Sequence, residues 1–573
     1  MAKVRRLPGQ VIDRIAAGEV VERPASVVKE LVENALDARA SRIEVALDNG
    51  GLARILVRDD GEGMSREDAR LALERHATSK IASDADLARV VTYGFRGEAL
   101  PSIAAVSALT LTTSDGTSPE AIRLHIEHGK SASEEPAAHP RGTDVLVEGL
   151  FERTPARRKF LSTPEAEGRR AAAAVTAAAL ANPSVAFSLT SNGRELLDAP
   201  AALDTPSRIL QVFGPEALGE LDELEARSGP LALSGWVTRG SVTFASRRHQ
   251  YLFVNGRPVE DRSLSRAIGQ ASREAIRTDR HPATFLYLDA QPGAVDVNVS
   301  PAKTQVRFAD SGTAYRLVYH ALFSALLAGK EERRLRSVPS ETRETPGPEA
   351  LTLADAPEPD APAPPVDVPA PARPELAPAP PRPPEIVPIG QHRESYILAS
   401  GPEGLLVIDQ HAAHERILYE RIRDRVASGR VLSQRLLLNV LFEATPEEAE
   451  TLTAQWEGLA AAGFEISPMS GRSYAIVSLP AEATDRAPAD MLRDVLGRLA
   501  EPATGAVDES RDRLAAALAC RSAVTIRYHL APEEIRRLLS DWAKTADRFT
   551  CPHGRPVVLS MSEADLEKYF KRR

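Results

Sequence analysis

Between Pro339 and Pro388 the chain holds 17 of its 43 prolines and no aromatic residue. Alanine, glutamate and aspartate fill much of the rest. Proline lacks a backbone donor, and a stretch without large apolar side chains cannot bury enough surface to offset the entropy of ordering. Residues 333–388 are therefore expected to be an extended, disordered linker. Fifty residues at ~3 Å each reach on the order of 150 Å when fully stretched, enough for two lobes to encircle a long partner or reach along it. The chain must then fold as separate bodies on either side, in keeping with the two to four domains expected of 573 residues.

The first body is organised around Val27-Val28-Lys29-Glu30-Leu31-Val32-Glu33-Asn34-Ala35-Leu36-Asp37-Ala38. The run has no Gly or Pro, repeats apolar residues at helical spacing, and follows Pro24 and Ser26, which suit a helix start. Glu30, Asn34 and Asp37 fall at i, i+4 and i+7 and share one face, while Leu31, Ala35 and Ala38 lie on a neighbouring face that can seal the helix to a sheet. The Asn34 oxygen suits Mg²⁺, and Glu30 can take a proton from water. A plain amphipathic helix accounts for the same pattern. Ile43–Leu47 and Ala53–Arg58 read as strands paired across Asp48-Asn49-Gly50-Gly51, leaving Asp59 at a strand end before Asp60-Gly61-Glu62-Gly63-Met64. Arg66–Arg75 reads as helix. A polar stretch from Thr78 carries Gly94 and Gly97 just before the helix-like Glu98–Ala105, where backbone N–H groups can meet phosphates. Alternating runs at Ala108–Thr113, Ile122–Glu127 and Thr143–Glu148 complete a mixed sheet.

With Arg75-His76-Ala77-Thr78-Ser79-Lys80 and Gly94-Phe95-Arg96-Gly97-Glu98-Ala99-Leu100, these blocks resemble the GHKL ATPase superfamily. The longer runs from Arg23 to Asn34, Arg75 to Ile81, Gly94 to Leu100, Phe151 to Phe160 and Val295 to Lys303 are similar to the MutL family of DNA mismatch repair proteins. The likeness runs from about Pro8 to about Phe308 and resumes from about Gln391 to about Ser560. It implies an α+β chain whose residues 1–205 bind ATP and Mg²⁺. Glu30 would activate water, Asn34 would hold Mg²⁺ and Asp37 would complete that face. The Asp59 carboxylate would accept from the adenine amino group, and Gly61 and Gly63 would let the base approach the backbone. The lid would use Thr78, Ser79, Lys80, Gly94, Phe95, Arg96, Gly97, Glu98 and Leu100, with Thr143 in the last nucleotide motif. Lys303 would meet the γ-phosphate; Ser300 stands where the family usually carries histidine.

A second subdomain is expected at 206–332, reached through the helix-like Glu165–Leu180. It would hold strands at Leu231–Val237, Tyr251–Asn255, Ala283–Leu288 and Val295–Val299, and helices at Ser263–Ile276 and Ala314–Leu327. Eight arginines between Arg247 and Arg280 are interrupted by four carboxylates. This is either a phosphate-tracking groove or a solvated helix face. The resemblance favours double-stranded DNA, with Arg257, Arg262 and Arg266 as contacts.

Beyond the linker, 389–573 reads as a C-terminal dimerisation and endonuclease domain. Ser395–Ser400 and Leu405–Ile408 form a hairpin about Gly401-Pro402, and the run from Asp409 to Glu420 follows. His411 and Glu415 sit at i and i+4 on a helix and can share one metal, with Asp409 at the helix mouth. Ala519-Cys520-Arg521 and Cys551-Pro552-His553 come later; cysteine, histidine and carboxylate together suit Zn²⁺ or a similar cation. By resemblance Asp409, His411 and Glu415 are catalytic for metal-dependent nicking, and Cys520, Cys551 and His553 join them as ligands of Zn²⁺ or Mn²⁺. The alternative is a structural zinc. About 441–510 reads as an αβ regulatory insertion. Gln434–Leu437 resembles the family's sliding-clamp contact, although Asn439 stands where proline is expected; a buried strand is the other reading. Leu514–Ala519 and Glu533–Trp542 read as amphipathic helices fit for a homodimer interface.

The net charge of −9 argues against a general nucleic-acid coat and leaves a local basic face open. There is no export-type start and no membrane-spanning run, so a soluble, cytoplasmic, nucleoid-associated protein is expected. Its only cysteines, Cys520 and Cys551, suit a metal site or core thiols better than a disulfide. The expected function is an ATP-gated homodimeric clamp coupling a MutS mismatch sensor to strand excision, with DNA nicking by the C-terminal domain. A matchmaker without nuclease is the alternative. A GHKL kinase or topoisomerase subunit fits poorly, because these 573 residues leave no room for a phosphoacceptor or strand-passage module.

Overall fold

The helix expected at Val27 begins at Pro24, whose ring is tolerated in the first turn, and runs to Asp37 as α1. It buries Val27, Val28, Leu31, Val32 and Ala35, each larger aliphatic side chain stabilising the fold by roughly 1.5–3 kcal/mol. The computed structural model describes residues 21–75, 77–80, 93–94, 97–118, 120–214, 218–239, 242–276, 280–296, 305–336, 386–402, 404–428, 431–481, 487–500, 510–523 and 528–572. Most of the Pro-rich linker lies outside these residues, as do Phe95, Arg96, Ser300 and Lys303.

Around α1 the first sheet takes shape from β1 (Arg42–Asp48) and β2 (Arg54–Asp59), the expected hairpin, with Ile43 opposite Asp59. α2 (Arg66–Leu71) and α3 (Ala99–Val106) flank the loop region. β3 (Ala108–Ser114), β4 (Ala121–Glu127), β5 (Lys130–Ala137) and β6 (Gly142–Glu148) follow, then α4 (Pro164–Ala181), β7 (Ala186–Ser191) and β8 (Arg194–Ala199). The strand order is β5-β4-β3-β6-β2-β1-β7-β8, with β1 and β7 parallel and the other pairs antiparallel. The alanine-rich α4 lies beside α1, so two helices share one face of the sheet.

α5 (Thr205–Phe213), β9 (Leu221–Ser228), β10 (Leu231–Thr238), β11 (Gln250–Val254), β12 (Arg257–Pro258), α6 (Arg262–Ile276), β13 (Thr284–Ala290), β14 (Val295–Asp296), β15 (Arg307–Phe308) and α7 (Ser311–Arg336) build the second subdomain. Its sheet order is β12-β11-β13-β10-β9. Arg208 on α5 is fully buried and donates to the carbonyls of Ala199 at 3.0 Å, Pro183 at 2.7 Å and Val185 at 2.5 Å. It closes the chain that links the two sheets.

The described residues divide into two compact units: one of 1–330, 415–523 and 552–554, the other of 331–414, 524–551 and 555–573. The second unit holds β16 (Val387–His392), β17 (Tyr396–Gly401) and β18 (Gly404–Asp409), where the expected hairpin is found, and the start of α8 (Gln410–Ser428). The later chain adds β19 (Ser433–Glu443), α9 (Pro446–Ala454), α10 (Trp456–Ala461), β20 (Glu465–Pro468), β21 (Ser473–Pro480), α11 (Pro488–Leu499) and α12 (Ser510–Ser522) to the first unit. α13 (Pro532–Trp542), β22 (Val558–Met561) and α14 (Glu563–Tyr569) complete the second.

Within the first unit the 441–510 insertion packs on the N-terminal subdomains. α9 lies on α4. Arg248 pairs with Glu447 at 3.1 Å and Arg280 with Asp494 at 2.9 Å. Arg472 donates to the Val212 carbonyl at 2.6 Å and to that of Gln211 at 3.1 Å. β19 corrects one alternative of the sequence reading, a buried strand at Gln434–Asn439. Its register against β21 breaks between Arg435 and Val440, and Leu437 and Leu438 are 100% and 79% exposed. No described helix is long and apolar enough to cross a membrane.

Removing a fully buried donor leaves its carbonyls without partners, at about 1–3 kcal/mol. Arg208→Leu is therefore expected to lower unfolding stability by about 2–4 kcal/mol, read from denaturant midpoints.

Candidate functional site

The polar face of α1 opens on a cavity of ≈ 690 Å³, lined by Glu30, Asn34, Asp37, Asp59, Gly63, Thr78, Ser79, Lys80, Gly94, Gly97, Glu98, Leu100 and Thr143. Residues separated by more than a hundred positions thus converge where the sequence reading placed a nucleotide.

At one end stands Asp59, the last residue of β2. Its Oδ1 accepts from the Gly61 N–H at 2.9 Å. Burial is the largest influence on this carboxyl, and with the nearby Asp60 and Asp144 it pushes the pKa up to about 6 against the pull of the Gly61 and Thr143 N–H groups. Gly63 has φ +66°, and a Cβ there would meet the Ser114 carbonyl oxygen at 1.9 Å, so only glycine lets the loop lie this close to β3. Thr113 Oγ1 accepts from Met64 N–H at 3.0 Å, donates to the Gly142 carbonyl at 3.0 Å and lies 2.9 Å from Thr143 Oγ1.

At the other end the Asp37 carboxylate is almost fully buried. Lys80 Nζ donates to its Oδ2 at 2.5 Å and to Asn34 Oδ1 at 3.0 Å. Tyr93 N–H donates to Asp37 Oδ1 at 2.8 Å, and Gly94 N–H to Oδ2 at 2.9 Å. An ammonium group already sits between a carboxamide and a carboxylate oxygen, so the oxygens on α1 suit a hard cation. Gly97, at φ +62°, approaches the Ala77 carbonyl so closely that a Cβ would lie 2.3 Å from its oxygen, joining the two ends of the lid segment. Thr78 Oγ1 accepts from Lys80 N–H at 3.2 Å. Phe95, Arg96 and Lys303 fall outside the described residues.

The arginine-rich tract divides three ways. Arg247, Arg262, Arg266, Arg273 and Arg307 line an open cleft of ≈ 1040 Å³ with Glu260 and Asp261. Arg248 and Arg280 turn to Glu447 and Asp494. Arg257 is buried, its guanidinium 5.7 Å from the centre of the Tyr93 ring. The structure thus brings Arg262 and Arg266 together at an open surface and sets Arg257 apart from it.

In the second unit Asp409 closes β18, and its Oδ1 accepts from His411 N–H at 2.9 Å and Ala412 N–H at 3.0 Å, capping α8. His411 lies in the first turn of that helix. Cys551 is buried and its N–H donates to the Arg555 carbonyl at 2.8 Å, closing a turn through Gly554 at φ +78°. In the first unit Glu415, only 3% exposed, meets His553 Nδ1 at 2.9 Å. His553 Nε2 lies 3.3 Å from Arg498, which donates to it, so the ring proton is assigned to Nδ1, facing Glu415. Cys520 on α12 is not among the neighbouring potential ligands that include Glu415 and His553. Glu420, a turn further along α8, pairs with Arg416 at 3.8 Å. An imidazole beside a buried carboxylate is a donor pair that suits Zn²⁺. A metal there must take a ring nitrogen from Glu415 or Arg498. The sequence reading missed Arg498 and Tyr93; only Tyr93 had a local signal, its place directly before the Gly94–Leu100 motif.

Three family profiles match the chain. Histidine kinase-, DNA gyrase B-, and HSP90-like ATPase covers 22–145, DNA mismatch repair protein, C-terminal domain covers 209–327, and MutL C terminal dimerisation domain covers 389–530. Among similar proteins, the DNA mismatch repair protein MutL of Anaeromyxobacter dehalogenans (strain 2CP-C) is 40% identical, with 100% of both chains covered. That of Acidiphilium cryptum (strain JF-5) is 42% identical, with 99% of each covered. Among solved structures, the Aquifex aeolicus MutL ATPase domain complexed with ADP is 30% identical over 48% of this chain and 94% of that one, at a TM-score of 0.37.

Asp59 yields a pH test. Its folded pKa of about 6 lies above the ordinary 3.8, so ionisation opposes folding fully above pH ~6 and not at all below pH ~4. Asp59→Asn is expected to stabilise the unliganded protein by about 1–3 kcal/mol at pH 8, with the gain fading through that window. Denaturant unfolding at pH 4.5 and pH 8 reads it, and an equal gain at both pH values would refute the assignment.

Proposed function

The chain belongs to the MutL family of DNA mismatch repair proteins, and from that premise we propose that it is an ATP-gated homodimeric clamp coupling a MutS mismatch sensor to strand excision, with nicking carried out in its C-terminal domain. The GHKL-type ATPase domain and the C-terminal dimerisation domain are family features of this chain. The observation that carries the reading is the α1 cavity, with a recognition carboxylate at one end and a general base, a carboxamide and a lysine at the other.

ATP enters with adenine at Asp59 and phosphates toward Lys80, Gly94 and Gly97. Glu30 takes the proton of the attacking water. Mg²⁺, held by Asn34, supplies charge neutralisation on the phosphates when bound. Asn34 would hold that ion only with its oxygen released by Lys80. Phe95 and Arg96 belong to the lid, and Lys303 reaches the γ-phosphate from the second subdomain. Closure is a two-state switch driven by contacts made only with the triphosphate.

The proposed domains are ATPase 1–205, transducer 206–332, linker 333–388 and C-terminal domain 389–573. Arg262 and Arg266 track the phosphates of double-stranded DNA in the open cleft, while Arg257 acts from beneath by positioning Tyr93. Asp409, His411, Glu415, Cys551 and His553 would hold Zn²⁺ or Mn²⁺, with Cys520 joining only if α12 shifts toward them; the metal would supply an activated water and charge neutralisation for phosphodiester hydrolysis. Asp409 caps α8 through one oxygen and keeps the other for that role. Exposed Leu437 and Leu438 beside Gln434 suit a sliding-clamp contact despite Asn439. The protein works in the cytoplasm, at the nucleoid. A matchmaker without nuclease is the second reading: both ring nitrogens of His553 already have partners, which opposes a catalytic metal there.

Nicking of supercoiled plasmid with Mn²⁺ separates the readings. The parent is expected to nick, Asp409→Asn to lose nicking, and Glu30→Ala to keep basal nicking without ATP hydrolysis. An intact ATPase with no nicking under any metal would leave the matchmaker. For DNA, the double variant Arg262→Glu with Arg266→Glu is expected to lower the slope of log affinity against log salt by about two. An unchanged slope would exclude the cleft as the DNA path.

A further inference from the structure

One side chain joins the nucleotide cavity to the second subdomain. The backbone of Tyr93 and Gly94 is fastened to both oxygens of Asp37. The Tyr93 hydroxyl, at the far end of the ring, donates to the Gly256 carbonyl at 3.1 Å in the turn between β11 and β12. Asn182 Oδ1, at the end of α4, lies 3.4 Å from the same hydroxyl, and its amide is oriented by an Nδ2 bond to the Ala178 carbonyl at 2.9 Å. Arg257 covers the ring. Burial raises the hydroxyl pKa, so it remains a neutral donor at physiological pH.

The connection is short on both sides. Toward the cavity, Asp37 also receives Lys80, which holds the Asn34 oxygen. Any ligand that draws Lys80 away removes a counter-charge from the carboxylate that grips Tyr93. Toward the second subdomain, Gly256 stands six residues before Arg262, the first residue of α6 and part of the basic cleft. Tyrosine has only two side-chain torsions, so little motion is lost between its ends.

We propose that Tyr93 is a positioning residue that transmits the state of the nucleotide cavity to the β11–β12 turn, and through it to the basic cleft, by its hydroxyl bond to Gly256. The inference rests on the reading of the cavity as an ATP site. The link is a coupling between two sites, and a typical coupling is worth about fivefold or more.

Hydrogen exchange of the full chain, with and without Mg²⁺ and a non-hydrolysable ATP analogue, tests it. In the parent, amides of residues 254–260 should slow by about fivefold or more when the analogue binds. In Tyr93→Phe, which keeps the ring beneath Arg257, the analogue should bind within about twofold of the parent while the same amides respond by less than about twofold. A merely structural tyrosine would speed basal exchange and leave the response intact. A parent-like response in Tyr93→Phe, or a parent turn that does not respond to bound analogue, would overturn the proposal alone. No analogue binding by the parent would overturn it together with the ATP reading.

Discussion

Four hydrogen bonds from three donor groups rest on one carboxylate and its neighbour. Asp37, at the last turn of α1, gathers the Lys80 ammonium and the N–H groups of Tyr93 and Gly94, while Asn34 a turn earlier shares the same ammonium. A buried carboxylate is costly unless it is hydrogen-bonded and neutralised. Here the required partners are the two ends of the lid segment. Satisfying Asp37 therefore shapes the cavity, and α1 can present that carboxylate only because its opposite face is sealed into the core by Val28, Leu31 and Val32.

Three arginines of the first unit close backbone carbonyls at its joints. Arg208 does this where α5 leaves the edge of the first sheet, and Arg472 does it where the insertion meets α5. Arg493 donates to the Glu443 carbonyl at 2.9 Å and lies 4.9 Å from the centre of the Phe442 ring. A planar guanidinium is suited to such places because it meets several acceptors at once and stacks on rings. His249 sits among these cations, stacked on Phe244, and burial first, then Arg493 and Arg248, push its pKa down to about 3. It is a neutral packing residue there.

Local periodicity made much of this architecture legible. The spacing of Glu30, Asn34 and Asp37 gave the face of α1, and alternation gave β1, β2, β3, β4 and β6. β5 escaped because its residues are exposed on both faces, leaving backbone pairing with no hydrophobic signal. β9 is charged along its edge in the same way. At the sites, family-like motifs located Asp59 and Glu415, but not the burial that raises the Asp59 pKa or the approach of His553 and Arg498. Those facts depend on residues far apart in the chain, as does the bond from Tyr93 to Gly256. Composition grouped the arginines of 247–280, and only packing could divide them between an open cleft, a buried ring contact and two ion pairs.

The docking of the insertion on α4 and α5 has a kinetic and entropic side. Both partners belong to one chain, so their encounter is a loop closure rather than a collision between molecules. A flexible tether sets an effective concentration in the millimolar range, and doubling its length costs only about 0.6 kcal/mol. The contact joins a shared apolar core, in which Phe213, Phe442, Leu452 and Tyr474 are buried, to the arginine bonds of Arg248, Arg280 and Arg472, and closing it within one chain adds to its hold. A cut in the chain between the two partners would remove that advantage and leave the joint to the strength of its own contacts.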